Sequence, residues 1–386
     1  MPLIQKIIAH PIFQRLRRIA QMGLSSLVYP GAHHSRFEHA LGVMFLMQKA
    51  IAVLRKKGTT ITDDEAQALQ IVALLHDVGH GPFSHAMEHS LLKNTHHETL
   101  SLLLMKHLNT VFDGQLDLAI AIYTNSYNRQ FMHQLISSQV DVDRLDYLKR
   151  DSFYTGATEG NINSERIIAM MQVEDDQLVF EEKGVYSLEK FLLARRLMYW
   201  QVYLHKTGLS AELTLVRCVQ RVRELLAQGV DVAGAPSLLF FLKNEVQQKS
   251  MDSKVLIDHF VALDDHDIYQ ALKLWQNHDD FVLSYLAKAI LQRKLLHLEL
   301  RPEAFTEDTL TAKKKHYASW KLSPEALDCI VFKGAVQNQV YQLTNAPIQL
   351  ITKSKDLLLL QAHHSFGLLQ NYSGFQEAHY MCYPKS

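Results

Sequence analysis

His76-Asp77-Val78-Gly79-His80-Gly81-Pro82-Phe83-Ser84-His85 sets an imidazole beside a carboxylate, with two more imidazoles within nine residues. One borderline nitrogen ligand and one hard oxygen ligand suit Mn, Fe, Co, Ni or Zn, or a carboxylate-anchored Mg. Among 21 histidines the dipeptide alone is a weak signal, so partners must come from elsewhere. His39 and Asp143, on separate helical patterns, complete a set of two imidazoles and two carboxylates. Asp143, Tyr147 and Asp151 recur every four residues, which lines a carboxylate, a phenol and a second carboxylate along one helical face. Arg195, Tyr199 and Tyr203 share that spacing and precede Lys206, giving a stripe cationic at both ends and aromatic between, suited to a phosphate-bearing ring compound. His85 and Glu88 stand one turn apart, close enough for the carboxylate to fix the imidazole's tautomer.

These residues need helices to hold them. Ser35 and Glu38 have capping-box spacing and predict a helix running to about Gly58, with His39 one turn inside and aimed at the interior. Thr62 and Glu65 repeat the box, and the apolar positions Ala66, Leu69, Val72, Ala73 and Leu75 lead to His76-Asp77. Pro82 is placed to open another helix, His96-His97-Glu98 the next, and Ser137 to Asp151 a further one. Pro11 to Gly23 reads as a short amphipathic helix whose Arg15, Arg17 and Arg18 form a solvated or ion-paired face. A longer helix from Leu188 is expected to stop at Gly208. After Arg301-Pro302 come short runs rich in β-formers, Cys329 to Phe332, Gln339 to Leu343, Ile348 to Ile351 and Leu357 to Leu360, which read as strands. The expected fold is mainly α, with a helical domain over 1–300, its motif core about 14–208, and a small α+β region over 301–386.

Forty basic residues balance forty acidic ones among 386, so nucleic acid is not indicated and any anion must be bound locally. Three scattered cysteines argue against a disulfide framework or thiolate zinc site and fit a cytoplasmic setting. No membrane partner is expected: no export signal is evident, and no apolar run approaches the roughly 18 residues a span requires.

The motifs Tyr29-Pro30-Gly31-Ala32, Ser35 to Val43, His76 to His85, His97-Glu98 and Asp141 to Asp151 resemble those of the HD-domain metal-dependent phosphohydrolases. The match is to their deoxynucleoside triphosphate triphosphohydrolase branch, which includes bacterial dGTPase-like enzymes and the catalytic domain of the SAM-and-HD-domain protein. It covers roughly Gln14 to Gly208. The resemblance implies a helical HD core and a divalent metal ion, of Mg, Mn, Fe or Zn, on His39, His76, Asp77 and Asp143. Asp141 is the rival for the last position. It further implies that His80, His85 and His97 meet the reacting phosphate, with His85 and Glu88 delivering a proton to the leaving 5′-oxygen. Arg36, Arg144, Arg195 and Lys206 would face phosphates. Gln21, Tyr147 and Asp151 would touch the sugar, Gln21 and Asp151 near its 3′-hydroxyl, with Tyr203 packed where a 2′-hydroxyl would clash. Tyr199 and Leu204 depart from the eukaryotic pattern of His and Gln. Deoxynucleoside triphosphates are thus the implied substrate and a candidate activator, and a homo-oligomer is implied. No role tied to a SAM-like domain ahead of the motifs is expected. The competing expectations are hydrolysis of another nucleotide phosphoester, a nucleotide-responsive module without turnover, and a nuclease.

Overall fold

The computed structural model describes residues 2–83, 87, 96–244, 254–338, 347–364 and 376–385. Both capping boxes form: Ser35 and Glu38 start the Arg36–Lys56 helix, and Thr62 and Glu65 start the Asp63–Leu75 helix. Ala40, Val43, Met47, Ala50 and Leu54 are fully buried at three- and four-residue intervals, and Leu69, Val72, Ala73 and Leu75 oppose them from the second helix. Fully burying each larger side chain contributes about 1.5–3 kcal/mol, so the pair is a rigid floor. The Val142–Thr155 helix crosses the first of these, its Leu145 and Leu148 turned inward. Gly42 makes that crossing close: a Cβ there would lie 2.0 Å from Asp146 Oδ1 and 2.2 Å from Arg150 Nη2. The protein is mainly α.

An 18-residue window of the Arg36–Lys56 helix has a mean hydropathy of 1.4, which gives the helix the length and composition of a membrane span, contrary to the expectation of no such run. Half of that window is buried inside the protein, and its first turn carries Arg36 and His39.

Three local expectations are corrected. Pro11–Gln14 is a single α turn followed by a 3-10 turn, Arg15–Arg18, and the chain extends at Ile19 well before Gly23. Arg15 is fully buried instead of solvated; its guanidinium donates to the carbonyls of Val78, His80 and Leu263 at 2.8, 2.9 and 3.2 Å. The helix carrying Arg195 is Val185–Met198, and it passes into a π turn over Tyr199–Tyr203. Gly208 then lies in the first turn of a new helix, Lys206–Ala227, capped by His205, so it stops nothing.

Strands are few. β1 (Met171–Glu174) pairs antiparallel with β2 (Gln177–Glu181), and β2 pairs parallel with β5 (Gln349–Ile351), which pairs with β6 (Leu357–Leu359). β3 (His297–Arg301) and β4 (Phe332–Asn338) flank β7 (Gln376–Tyr383), both antiparallel to it. Each sheet therefore joins chain before 302, two strands in the first and one in the second, to two strands after it. Cys329 belongs to a helix, Pro324–Ile330, and the strand begins only at Phe332. The run Gln339 to Leu343 lies outside the described residues. All three cysteines are free and buried.

Candidate metal centre and nucleotide cleft

His39 comes from the Arg36–Lys56 helix, His76 caps the Asp63–Leu75 helix, Asp77 follows it, and Asp143 lies in the first turn of Val142–Thr155. Their ligand atoms converge. His39 Nε2 is 3.1 Å from Asp143 Oδ1 and 3.7 Å from Asp77 Oδ2, while His76 Nε2 is 3.5 Å from Asp143 Oδ1 and 3.6 Å from Asp77 Oδ1. Such separations match the edges of a polyhedron whose metal-ligand bonds are about 2.0–2.2 Å.

The tautomers are fixed from behind. His76 Nδ1 lies 2.9 Å from the Ala73 carbonyl, which can only accept, so Nδ1 carries the proton. His39 Nδ1 donates to Asp146 Oδ2 at 2.8 Å, and Asp146 is held in turn by Arg150 at 2.7 and 2.9 Å. Both Nε2 atoms are then bare lone pairs, buried and without a hydrogen-bond partner among the described residues. Facing carboxylate oxygens, they require a positive charge between them. Without a cation, a proton on Nε2 would supply that charge: burial opposes a charged His39, yet Asp143 and Asp146 outweigh it and raise the imidazole to about 10, and a bound metal would take the place of that proton. Burial would raise the Asp143 carboxyl, but His39 and His76 hold it well below the ordinary range. These residues fit a divalent cation, whose identity the donor set does not select.

Asp141 is used otherwise. It is fully buried as the cap of Val142–Thr155, accepting from the Ser138 and Arg144 amides at 2.9 and 2.8 Å and from the Arg144 guanidinium.

Gly79 lets the turn after Asp77 meet the next helix. A Cβ there would come within 2.2 Å of the Ser101 nitrogen and 2.4 Å of the His97 carbonyl, and the Gly79 amide donates to Ser101 Oγ at 2.9 Å. This contact brings the His97–Val111 helix against the turn, stacking the His97 and His80 rings with centroids 4.0 Å apart. Asp77, His80 and His97 form a second group of potential ligand atoms beside the first. Burial, reinforced by Arg36, keeps the His80 imidazole neutral, far below its usual range. Arg36 Nη1 donates to Asp77 Oδ2 at 2.5 Å. His85 and Glu88 lie outside the described residues.

A cleft of about 810 Å³ opens over this centre. Its lining includes Gln21, Arg36, His76, Asp77, His80, His97, Asp143, Arg144, Tyr147, Asp151, Tyr199 and Tyr203. From the metal group the wall continues through Tyr147 to Tyr203, with ring centroids 6.3 Å apart, then to Tyr199 at 6.1 Å. The π turn, closed by the Leu204 amide on the Tyr199 carbonyl at 2.9 Å, puts Tyr199, Tyr203 and Leu204 all on the cleft. Arg195 and Lys206 are not among the described lining residues. Arg195 donates to Gln139 Oε1 at 3.2 Å, and Lys206 is exposed on the first turn of its helix.

Sequence reasoning missed several residues. Asp146 sits inside the acidic run, whose density beyond one face was the available signal. His34, buried against Asp151, and Glu212, in the cleft lining with its carboxyl raised to about 7 by burial, carried none.

A helical core that gathers two imidazoles and two aspartates from separate helices onto one cleft defines a metal-dependent hydrolase centre. The chain belongs to the HD-domain phosphohydrolases: the HD domain matches residues 36–151 and the HD associated region residues 162–234. It is 34% identical to YwfO of Bacillus subtilis over 306 residues, 78% of this chain and 69% of that protein. The crystal structure of a phosphohydrolase from Bacteroides thetaiotaomicron superposes with a TM-score of 0.95 at 44% identity, covering 99% of this chain and 96% of that one. The Dictyostelium discoideum protein named deoxynucleoside triphosphate triphosphohydrolase SAMHD1 homolog is 36% identical over 222 residues, 52% of this chain and 42% of that protein.

Proposed function

We propose that this chain hydrolyses deoxynucleoside triphosphates to deoxynucleoside and inorganic triphosphate by water attack at the α-phosphorus. The observation that carries the reading is one cleft lined in sequence by a metal-ligating group, two arginines, and a wall of Tyr147, Asp151 and Tyr203. Kinship with proteins named as deoxynucleoside triphosphate triphosphohydrolases supports it.

His39, His76, Asp77 and Asp143 would hold the divalent ion, which when bound supplies Lewis acidity and an acidified water. Arg36 and Arg144 balance charge on the phosphoryl oxygens by planar, bidentate donation. Neutral His80, stacked on His97, offers a ring N–H to a phosphate oxygen without carrying charge of its own. Asp151 and Gln21 take the 3′-hydroxyl, and Tyr203, its hydroxyl committed to Asp151, leaves no room beside the 2′-carbon. His85 and Glu88 are together assigned the proton for the leaving 5′-oxygen, a role suited to an imidazole paired with a carboxylate near neutral pH.

The test is incubation with each dNTP and rNTP, singly and as a four-dNTP mixture with Mg or Mn, followed by anion-exchange separation. Deoxynucleoside and intact triphosphate are expected. Monophosphate or diphosphate products would mean that a phosphoanhydride bond is cleaved in place of the bond to the 5′-oxygen, and nucleotide bound without turnover would mean a binding module.

A further inference from the structure

We infer that His34 is the positioning residue of the sugar subsite, holding by its ring and its backbone the two groups assigned to the 3′-hydroxyl. The inference rests on the function proposed above, and the geometry is its own. His34 Nε2 donates to Asp151 Oδ1 at 2.7 Å, and the other carboxylate oxygen accepts from the Tyr203 hydroxyl at 2.7 Å. The His34 carbonyl accepts the Gln21 amide at 3.0 Å. That bond is one rung of a short antiparallel bridge: Ala20 faces Ser35, and the Arg36 amide donates back to the Ile19 carbonyl at 2.9 Å. Displacing residue 34 therefore moves Gln21 and Asp151 together, although they belong to different segments.

Packing alone does not account for an imidazole here. The ring is stacked on Tyr154, centroids 4.4 Å apart and planes 11° from parallel, and its side chain is wholly buried. Its Nδ1 has no hydrogen-bond partner among the described residues. A phenyl ring would keep the stack and avoid the stranded nitrogen, whose burial costs free energy. The only polar return among the described contacts of the ring is its bond to Asp151. With both oxygens tied, the carboxylate has one orientation toward the cleft, and its remaining lone pairs are fixed before a sugar arrives.

The experiment compares a 2′-deoxynucleoside triphosphate with its 2′,3′-dideoxy counterpart of the same base, in the full chain and in His34→Phe and His34→Gln. The unsubstituted chain should favour the 3′-hydroxyl in kcat/KM. In His34→Phe that preference should shrink about tenfold or more, through loss on the deoxy substrate only, with metal content unchanged. His34→Gln, which gives up the stack but keeps an N–H donor, should hold the preference within about threefold. An equal fall on both sugars, a preference lost equally in both variants, or no preference in the unsubstituted chain would overturn the assignment. Absence of any dNTP turnover in the unsubstituted chain would instead overturn the triphosphohydrolase reading on which it rests.

Discussion

His39 and Asp146 are joined by a 2.8 Å hydrogen bond between Nδ1 and a carboxylate oxygen, and this bond turns the opposite ring nitrogen into a lone pair facing Asp143. The carboxylate can approach because Gly42 lacks a Cβ where Asp146 and Arg150 lie. Replacing Asp146 with Asn removes the negative charge behind the ring while keeping the shape. Metal affinity should fall about 10- to 100-fold, the usual effect of losing such a partner. Isothermal titration with Mn or Zn reads this directly; unchanged affinity would show that the tautomer is set by something else.

Asp141 and Asp143 are two residues apart but do different work. Asp143→Ala should abolish both metal binding and turnover. Asp141→Ala should retain the metal while losing a helix cap, a cost of about 0.5–2 kcal/mol, and more because the Arg144 guanidinium loses its partner. Metal content and urea denaturation of the two variants, measured side by side, separate the roles, and the reverse pattern would exchange them.

Arg15 ties the turn after Asp77 to the loop before the Asp265–Trp275 helix through three carbonyls. Arg15→Met keeps much of the volume but strands those acceptors, so unfolding stability should drop by roughly 3 kcal/mol. A drop below about 0.5 kcal/mol, the range of ordinary surface substitutions, would mean that water replaces the guanidinium.

Burial raises the Glu212 carboxyl to about 7, above its unfolded value. The folded state therefore binds more protons than the unfolded one between the two values, and stability contributed by this group falls as pH rises through about 7. Glu212→Gln should flatten that part of the profile, so the variant gains in Tm relative to the unsubstituted chain at pH 8 but not at pH 4. Parallel melting curves across this range would contradict the burial assigned to the carboxyl.

What the sequence made legible was local. The Ser35–Glu38 and Thr62–Glu65 boxes are readable because capping involves residues three apart, and both helices start where expected. Asp143, Tyr147 and Asp151 reach one cleft because a four-residue interval needs only a helix to align them. What escaped was set by distant partners. Arg15 looks like a surface cation until the Val78 and Leu263 carbonyls are placed around it. The π turn at Tyr199–Tyr203 shifts the helical register without any proline or glycine to announce it. The parallel pairing of β2 with β5 joins residues about 170 positions apart, Phe180 to Leu350, which no window of local pattern contains.

The most direct test of the account is hydrolysis of a dNTP in water enriched in oxygen-18, with mass analysis of both products. Attack at the α-phosphorus with cleavage of the bond to the 5′-oxygen predicts one labelled oxygen in the triphosphate and none in the deoxynucleoside. Label in the deoxynucleoside, or release of pyrophosphate or orthophosphate in place of triphosphate, would contradict it.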